Sequence, residues 1–184
     1  MAFAAKPANA TVIINVTEVG GDLVFTATGS LDLTGASFVS EFSIYGQGFI
    51  PGGDNWYVAP GPGGATITYA LTSFDGPFGT SLTFFTPPDS VSGDNFFIWG
   101  ESGIIEQVGV PDGYISGSAI ASGMVFNNAT IAGFTMIPGT YNYTIPNDTI
   151  TLNIGQTTVP EPTSLLLLGT GLGVVGLAAW RRRK

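Results

Sequence analysis

The fold class is decided by Thr11-Val12-Ile13-Ile14-Asn15-Val16-Thr17, followed by Gly20-Gly21-Asp22 and then Leu23-Val24-Phe25-Thr26-Ala27-Thr28. Both outer runs are rich in β-branched residues and alternate in part between apolar and polar side chains, which is typical of strands with one buried face. The Gly-Gly-Asp segment between them supplies the backbone freedom that a tight turn requires. The stretch therefore predicts a β-hairpin at the start of the domain.

The same pattern continues along most of the chain. Gly and Pro separate short apolar or alternating runs, and helical periodicity is not seen before the C-terminal tail. Further strands are predicted at residues 38–45, 55–58, 65–73, 81–85, 95–99, 103–108, 114–121, 123–126, 130–137, 140–145 and 149–154. This spacing predicts one all-β domain over residues 11–157, an antiparallel β-sandwich of the jelly-roll or Ig-like Greek-key kind. Within it, Pro138-Gly139-Thr140-Tyr141 is similar to a tyrosine corner, so we expect the Tyr141 hydroxyl to bond to nearby backbone.

Charge is distributed very unevenly. Of 13 acidic residues, 12 lie between Thr11 and Pro160, whereas the five cations are Lys6 and the last four residues, and the chain has no His. The domain is therefore a polyanion with a formal charge of −12 that lacks the Lys and Arg needed for phosphate contacts. This composition excludes nucleic-acid binding.

Missing residue types also restrict catalysis. Without Cys or His there is no thiol nucleophile, no Ser-His-Asp triad and no ordinary zinc site. Paired carboxylates remain, and Glu101 and Glu106 are the nearest candidates for a glycoside hydrolase. Along one strand their spacing would place them on opposite faces, so a turn at Gly103 would be required. We therefore expect a protein that is not an enzyme, with a carboxylate-only glycoside hydrolase as a remote alternative.

The chain ends in an apolar run, residues 165–180, followed by Arg181-Arg182-Arg183-Lys184. At about 1.5 Å per residue the run spans about 24 Å as a helix, close to the thickness of a membrane core. By the positive-inside rule the basic end stays in the cytoplasm and everything before it is exported. The sequence predicts a transmembrane helix over residues 165–180 with a basic cytoplasmic stop at 181–184; the alternative is a buried core helix.

Val159-Pro160-Glu161-Pro162, the spacer Thr163-Ser164, the apolar run and the basic end together resemble the PEP-CTERM sorting signal of exported bacterial proteins. The resemblance covers only this tail, with the motif and spacer at residues 158–164. It implies recognition by an exosortase that cleaves near the motif, in an exopolysaccharide-producing Gram-negative bacterium. It also implies an inner-membrane intermediate and then the cell surface or extracellular matrix. It implies no chemistry for the attached domain.

The N-terminus agrees with export. Ala8-Asn9-Ala10 has the A-x-A pattern that precedes a signal-peptidase cut. The basic and apolar segments expected before such a site are mostly missing, so residues 1–10 are interpreted as the remnant of a signal peptide. An Ala-rich terminus without this role is the alternative.

Two binding hypotheses follow from the domain's own residues. Aromatic side chains could form a platform that stacks on sugar rings, because Trp and Tyr join an apolar face to a polar tip; the candidates are Tyr45, Trp56, Tyr57, Trp99 and Tyr114. The echo of Gly53-Asp54-Asn55 in Gly93-Asp94-Asn95 makes Asp54 and Asp94 candidate calcium ligands. Its simpler interpretation is turn chemistry, since Gly, Asp and Asn are ordinary turn residues.

Taken together, the sequence predicts an exported structural or adhesive protein of the cell surface or biofilm matrix, sorted by an exosortase. The alternative is a carbohydrate-binding module that tethers cells to exopolysaccharide. Self-association through open strand edges is a further expectation.

Overall fold

A computed structural model describes residues 11–44, 47–80 and 87–156. Within these ranges the chain forms strands, turns and loops, and contains no helix that could cross a membrane. The strands are β1 (Thr11–Val19), β2 (Asp22–Ser30), β3 (Phe38–Ile44), β4 (Gly48–Ile50), β5 (Asn55–Ala59), β6 (Gly64–Ala70), β7 (Ser73–Phe74), β8 (Ser90–Gly93), β9 (Phe97–Glu101), β10 (Gln107–Pro111), β11 (Ala119–Phe126), β12 (Gly139–Ile145) and β13 (Asp148–Ile154). The predicted signal-peptide remnant (1–10), the strand at 81–85, and the tail with its transmembrane helix lie outside the described residues.

The strands form two sheets. The seven-stranded sheet has the order β7-β12-β13-β1-β2-β11-β8, and the six-stranded sheet has the order β3-β6-β10-β9-β5-β4. The hairpin predicted from the opening stretch is confirmed, because β1 and β2 pair antiparallel from Ile13↔Thr28 to Val19↔Asp22. The all-β class is confirmed as well, with two sheets that share one core.

One strand pair differs from the predicted antiparallel arrangement. β1 and β13 pair parallel, from Thr11↔Thr149 to Val16↔Ile154, whereas the other strand pairs among the described residues are antiparallel. A half-buried strand shows the same alternation in either direction. The sequence pattern therefore could not reveal that the first and last strands of the domain run side by side in the same direction.

Alternation along the strands builds the core. Val12, Ile14 and Val16 of β1 are fully buried, while the side chains between them face solvent. Aromatic rings then join the two sheets: Phe25 of β2 stacks on Phe49 of β4 at 5.3 Å, and Phe49 meets Phe126 of β11 edge-on at 5.1 Å. Such ring pairs contribute beyond their buried area.

The opposite face of the seven-stranded sheet is polar. Thr140 Oγ1 donates to Asn153 Oδ1 at 2.9 Å, and Asn153 Nδ2 donates to Asn15 Oδ1 at 3.2 Å. These residues stand opposite one another across β12, β13 and β1. The N-x-T sequences at Asn15 and Asn142 lie on strands of this sheet, and the two-residue period places the Asn and the Thr of each on one face.

Several predicted strand boundaries were wrong. The strand predicted at 103–108 is β10, Gln107–Pro111, because the chain turns after Glu101. The runs 114–121 and 123–126 are one strand, β11, that begins only at Ala119, and the run 65–73 is divided between β6 and β7. Two short strands, β4 and β8, were not predicted.

The strand predicted at 130–137 is instead a series of turns. Two of its apolar residues, Ile131 and Met136, belong to the core without lying in a strand, and Met136 N donates to Ile131 O at 3.1 Å. The segment therefore forms a compact loop that buries these two side chains, although their β propensity favours a strand.

We predict that Phe25→Ala lowers the free energy of unfolding by about 3–5 kcal/mol, because it removes a fully buried ring from the contact between the sheets. Urea unfolding followed by tryptophan fluorescence measures the change. Ile115→Ala is the matched control: this side chain is 73% exposed, so its removal should change stability by less than about 0.5 kcal/mol. Equal losses in the two variants would contradict the core described above.

Candidate functional site

The sorting residues predicted from the sequence lie outside the described residues. They are Val159, Pro160, Glu161, Pro162, Arg181, Arg182, Arg183 and Lys184. The structure does define where the tail begins: β13 ends at Ile154, and Gly155 N donates to Val16 O at 2.9 Å. The tail therefore starts from a fixed point beside the central strand β1.

Many carboxylates of the domain accept hydrogen bonds from backbone N–H groups. In six of these bonds the donor is distant in the chain: Ile131 N to Glu18, Asn128 N to Asp22, Asn142 N to Asp75, Asn127 N to Asp89, Ala121 N to Asp94 and Asp32 N to Asp148, at 2.7–2.9 Å. Asp32 accepts from the nearby Thr34 N at 2.9 Å. We call Glu18, Asp22, Asp32, Asp75, Asp89, Asp94 and Asp148 the loop carboxylates. Since the domain has no cation, these amides take the place of ion pairs.

Asp148 is the most buried of the loop carboxylates, and it is bonded to Asp32. Asp148 is 8% exposed; its Oδ2 accepts from Asp32 N at 2.8 Å and its Oδ1 from Thr149 N at 2.7 Å. Burial raises the pKa of Asp148, the two N–H bonds oppose that shift, and the Asp32 charge adds to it. Hydrogen bonds from Thr34 and Ser116 instead lower the pKa of Asp32.

The calcium hypothesis for Asp54 and Asp94 does not fit the structure. The two Gly-Asp-Asn turns open β5 and lead into β9, and these strands are antiparallel neighbours. Their starting ends consequently lie at opposite ends of the ladder, separated by the length of β5, about 17 Å. Asp94 Oδ2 is already bonded to Ala121 N, and no group of three or more acidic side chains that could hold a metal occurs in the described ranges. These contacts favour the interpretation of the echo as turn chemistry.

Of the five aromatic residues predicted to form a platform, Trp56 and Tyr114 have structural roles, and Tyr45 lies outside the described residues. Trp56 is 4% exposed, and its ring centroid lies 5.1 Å from that of Tyr143. The indole is therefore part of the core and is not available to a ligand. The Tyr114 hydroxyl donates to Ser118 O at 2.6 Å and accepts from Leu31 N at 2.9 Å, which fixes the loop before β11. Tyr141 donates to Ile137 O at 3.0 Å, so the predicted bond of a tyrosine corner is confirmed.

Tyr57 and Trp99 are brought together. They are direct partners across β5 and β9, on the face of the six-stranded sheet that points away from the common core. Trp99 Nε1 donates to Asn55 Oδ1 at 3.1 Å, which fixes the indole, and the buried Phe97 lies 5.9 Å from Tyr57. Burial raises the pKa of Tyr57, whose side chain is half-buried. Sequence reasoning missed Asn55 and Phe97, although their alternation with Trp56 and Ile98 was a usable signal.

Glu101 and Glu106 flank the turn that sequence reasoning required at Gly103. Gly103 has a φ of 84°, and Ile104 N donates to Glu101 O at 3.0 Å. Because Gln107 pairs with Trp99, continuing the register pairs Glu106 with Gly100 and places the two carboxylates on opposite faces. This arrangement gives the hydrolase alternative no support.

Comparison with known proteins identifies the tail. Residues 158–184 match the family model of the PEP-CTERM protein-sorting motif. No curated protein and no solved structure matches the chain. The match supports export to the cell surface through a membrane-anchored intermediate, with exosortase as the processing partner.

Loop carboxylates make stability dependent on pH, and Asp32 gives a test with a defined sign. Because its pKa is lowered below 3.8 in the folded state, its contribution is fully present above that value and is lost as pH falls through the lowered pKa. We predict that Asp32→Asn is less stable than the parent at pH 6 and that the difference shrinks below pH 3.8.

Urea unfolding between pH 2.5 and pH 6 measures this difference. Phe38→Ala is the control, because it removes a 59% exposed side chain and no ionisable group, so its difference from the parent should stay constant over this pH range. A difference for Asp32→Asn that is constant over the whole range would contradict the prediction. Asp148 has the opposite sign: its raised pKa gives a contribution that is present at low pH and declines as pH rises through that value.

Proposed function

We propose that this protein is a structural or adhesive component of the cell envelope or biofilm matrix. An exosortase recognises its tail at the membrane and cleaves it near Val159–Pro162, and the domain is then released or attached elsewhere. The observation that carries the proposal is the sorting motif at residues 158–184, which follows the last strand of the domain after only a short connection.

The character of the domain supports a passive extracellular role. Its carboxylates are occupied in holding loops, as in the bonds of Asp89 and Asp94 to backbone N–H groups. Its formal charge of −12 disfavours contact with anionic polymers and favours neutral or cationic ones. Such a surface also keeps copies of the domain apart at low ionic strength.

The intact mass of the protein isolated from the surface or medium of its host tests this proposal. We expect a C-terminus between Pro160 and Thr163, with the apolar run absent, because exosortase processing removes it. Mass beyond that of the polypeptide would identify glycosylation or an attached anchor. A chain that still ends at Lys184 would contradict cleavage and would make the protein a single-pass membrane protein.

The second candidate function is carbohydrate binding, and the Tyr57–Trp99 pair is the observation that favours it. The two rings are neighbours on an outward face, and the bond to Asn55 holds the indole in one orientation. Fixed aromatic rings suit stacking on a sugar because little conformational entropy is lost on binding. Trp56, which the sequence placed in the same platform, faces the core instead.

We predict that, if this function is correct, Trp99→Ala abolishes retention of the protein on an affinity gel made from the exopolysaccharide of its host. Phe38→Ala is the matched control: it removes a 59% exposed aromatic ring from the edge strand β3 and should leave retention unchanged. Equal retention of the parent and Trp99→Ala, with both folded by circular dichroism, would exclude this platform.

A further inference from the structure

The start of β1 lies between two carboxylate-bearing segments. Thr11 pairs with Thr149, so Asp148 stands beside the N-terminal end of β1 on the β13 side. On the other side Ile13 pairs with Thr28, and β2 runs on from this pair to Ser30, two residues before Asp32. The bond from Asp32 N to Asp148 Oδ2, 2.8 Å, therefore joins the segments on the two sides of β1 at this end of the sheet.

A groove opens at this point. It has a volume of about 550 Å3, and Thr11 and Asp148 both line it, together with Thr144, Asn147 and Thr149. Its lining is mostly hydroxyl, amide and carboxylate groups. Asp148 is 8% exposed, so most of its side chain is covered by protein and its charge is only partly solvated.

The sequence offers no side chain to neutralise this charge, since residues 11–160 contain no Lys, Arg or His. A buried carboxylate without an opposite charge is costly even when it is hydrogen-bonded. One source of positive charge remains, which is a new chain terminus. Ala8-Asn9-Ala10 immediately precedes Thr11, the first residue of β1, so a cut after Ala10 would leave the whole strand in place.

We infer that signal-peptidase cleavage after Ala10 creates an α-ammonium group on Thr11 that pairs with Asp148 and Asp32 and fastens β1 into the mature domain. Water adds across the Ala10–Thr11 peptide bond; Ala10 leaves with the carboxylate, and Thr11 keeps the amine, which takes up a proton. An α-amino group has a pKa of about 8, so it is charged at neutral pH. The inference rests on the proposed export of the domain.

Cleavage is then expected to raise the free energy of unfolding of the domain. In the precursor, Thr11 contributes only a neutral peptide N–H at this position. In the mature protein it contributes a cation next to two carboxylates that otherwise repel each other. Cleavage thus stabilises the product relative to the precursor, and blocking the amine should reverse the effect.

The experiment uses the chain from Thr11 to residue 184 with Lys184→Arg, in detergent, so that the α-amine of Thr11 is its only primary amine. Thermal unfolding is compared before and after acetylation of that amine. We expect acetylation to lower the midpoint by about 2–4 °C, the shift that an ion pair of moderate strength produces in a domain of this size.

Two variants show whether the named carboxylates are responsible. Asp148→Asn should abolish the effect of acetylation on the unfolding midpoint. If Asp148→Asn does not fold, Asp32→Asn is used in its place. Asp89→Asn, which alters a loop carboxylate bonded to Asn127 N, should leave the effect intact. An unchanged midpoint after acetylation, or an effect that survives in both Asp148→Asn and Asp32→Asn, would overturn the inference.

N-terminal sequencing of the protein from its host completes the test. A start at Thr11 supports the inference, and a start at another residue overturns it. This readout is independent of the C-terminal mass that tests exosortase processing, so failure at one end of the protein can be told apart from failure at the other.

Discussion

The loops of this domain depend on one constraint: its carboxylates have no cationic side chain to pair with, so seven of the twelve bond to backbone amides. The constraint is clearest in the connection between β11 and β12, where Asn127 N, Asn128 N and Ile131 N are held by three carboxylates from different elements, Asp89, Asp22 and Glu18. A backbone N–H group can donate to a carboxylate where no cation is nearby. The loop is thereby fixed to β1, β2 and the segment before β8, and its apolar residues Ile131 and Met136 can close the core.

Sequence periodicity predicted the fold where one face of a strand is buried. The β1–β2 hairpin and the strands β12 and β13 were found because their side chains are rich in β-branched residues and alternate at least in part between apolar and polar. It failed at residues 130–137, where Ile131 and Met136 are buried from turns, and a list of apolar positions does not distinguish the two cases. The parallel pairing of β1 with β13 was also beyond reach, because alternation carries no information about strand direction.

The candidate sites also divide into those that the sequence predicts and those that it does not. The tail was predictable because its evidence is a linear order of residue types, and the family match at residues 158–184 agrees with it. Sites inside the domain depend on which residues meet in space. Asp54 and Asp94 look equivalent in sequence, yet the antiparallel ladder separates them, while Tyr57 and Trp99 are far apart in sequence and become direct partners. Trp56 illustrates the remaining difficulty: one step along a strand decides between solvent and core.

The position of β13 also makes the seven-stranded sheet depend on both ends of the domain. β13 lies between β1 and β12, so without it the seven-stranded sheet falls into two pieces, β1-β2-β11-β8 and β7-β12. A chain that crosses the membrane N-terminus first delivers β13 last, and only residues 155–164 separate it from the apolar run. Completion of the sheet therefore requires the last strand before the tail. A chain that ends before β13 leaves β1 and β12 with open edges, the kind of strand edge that can pair with other chains.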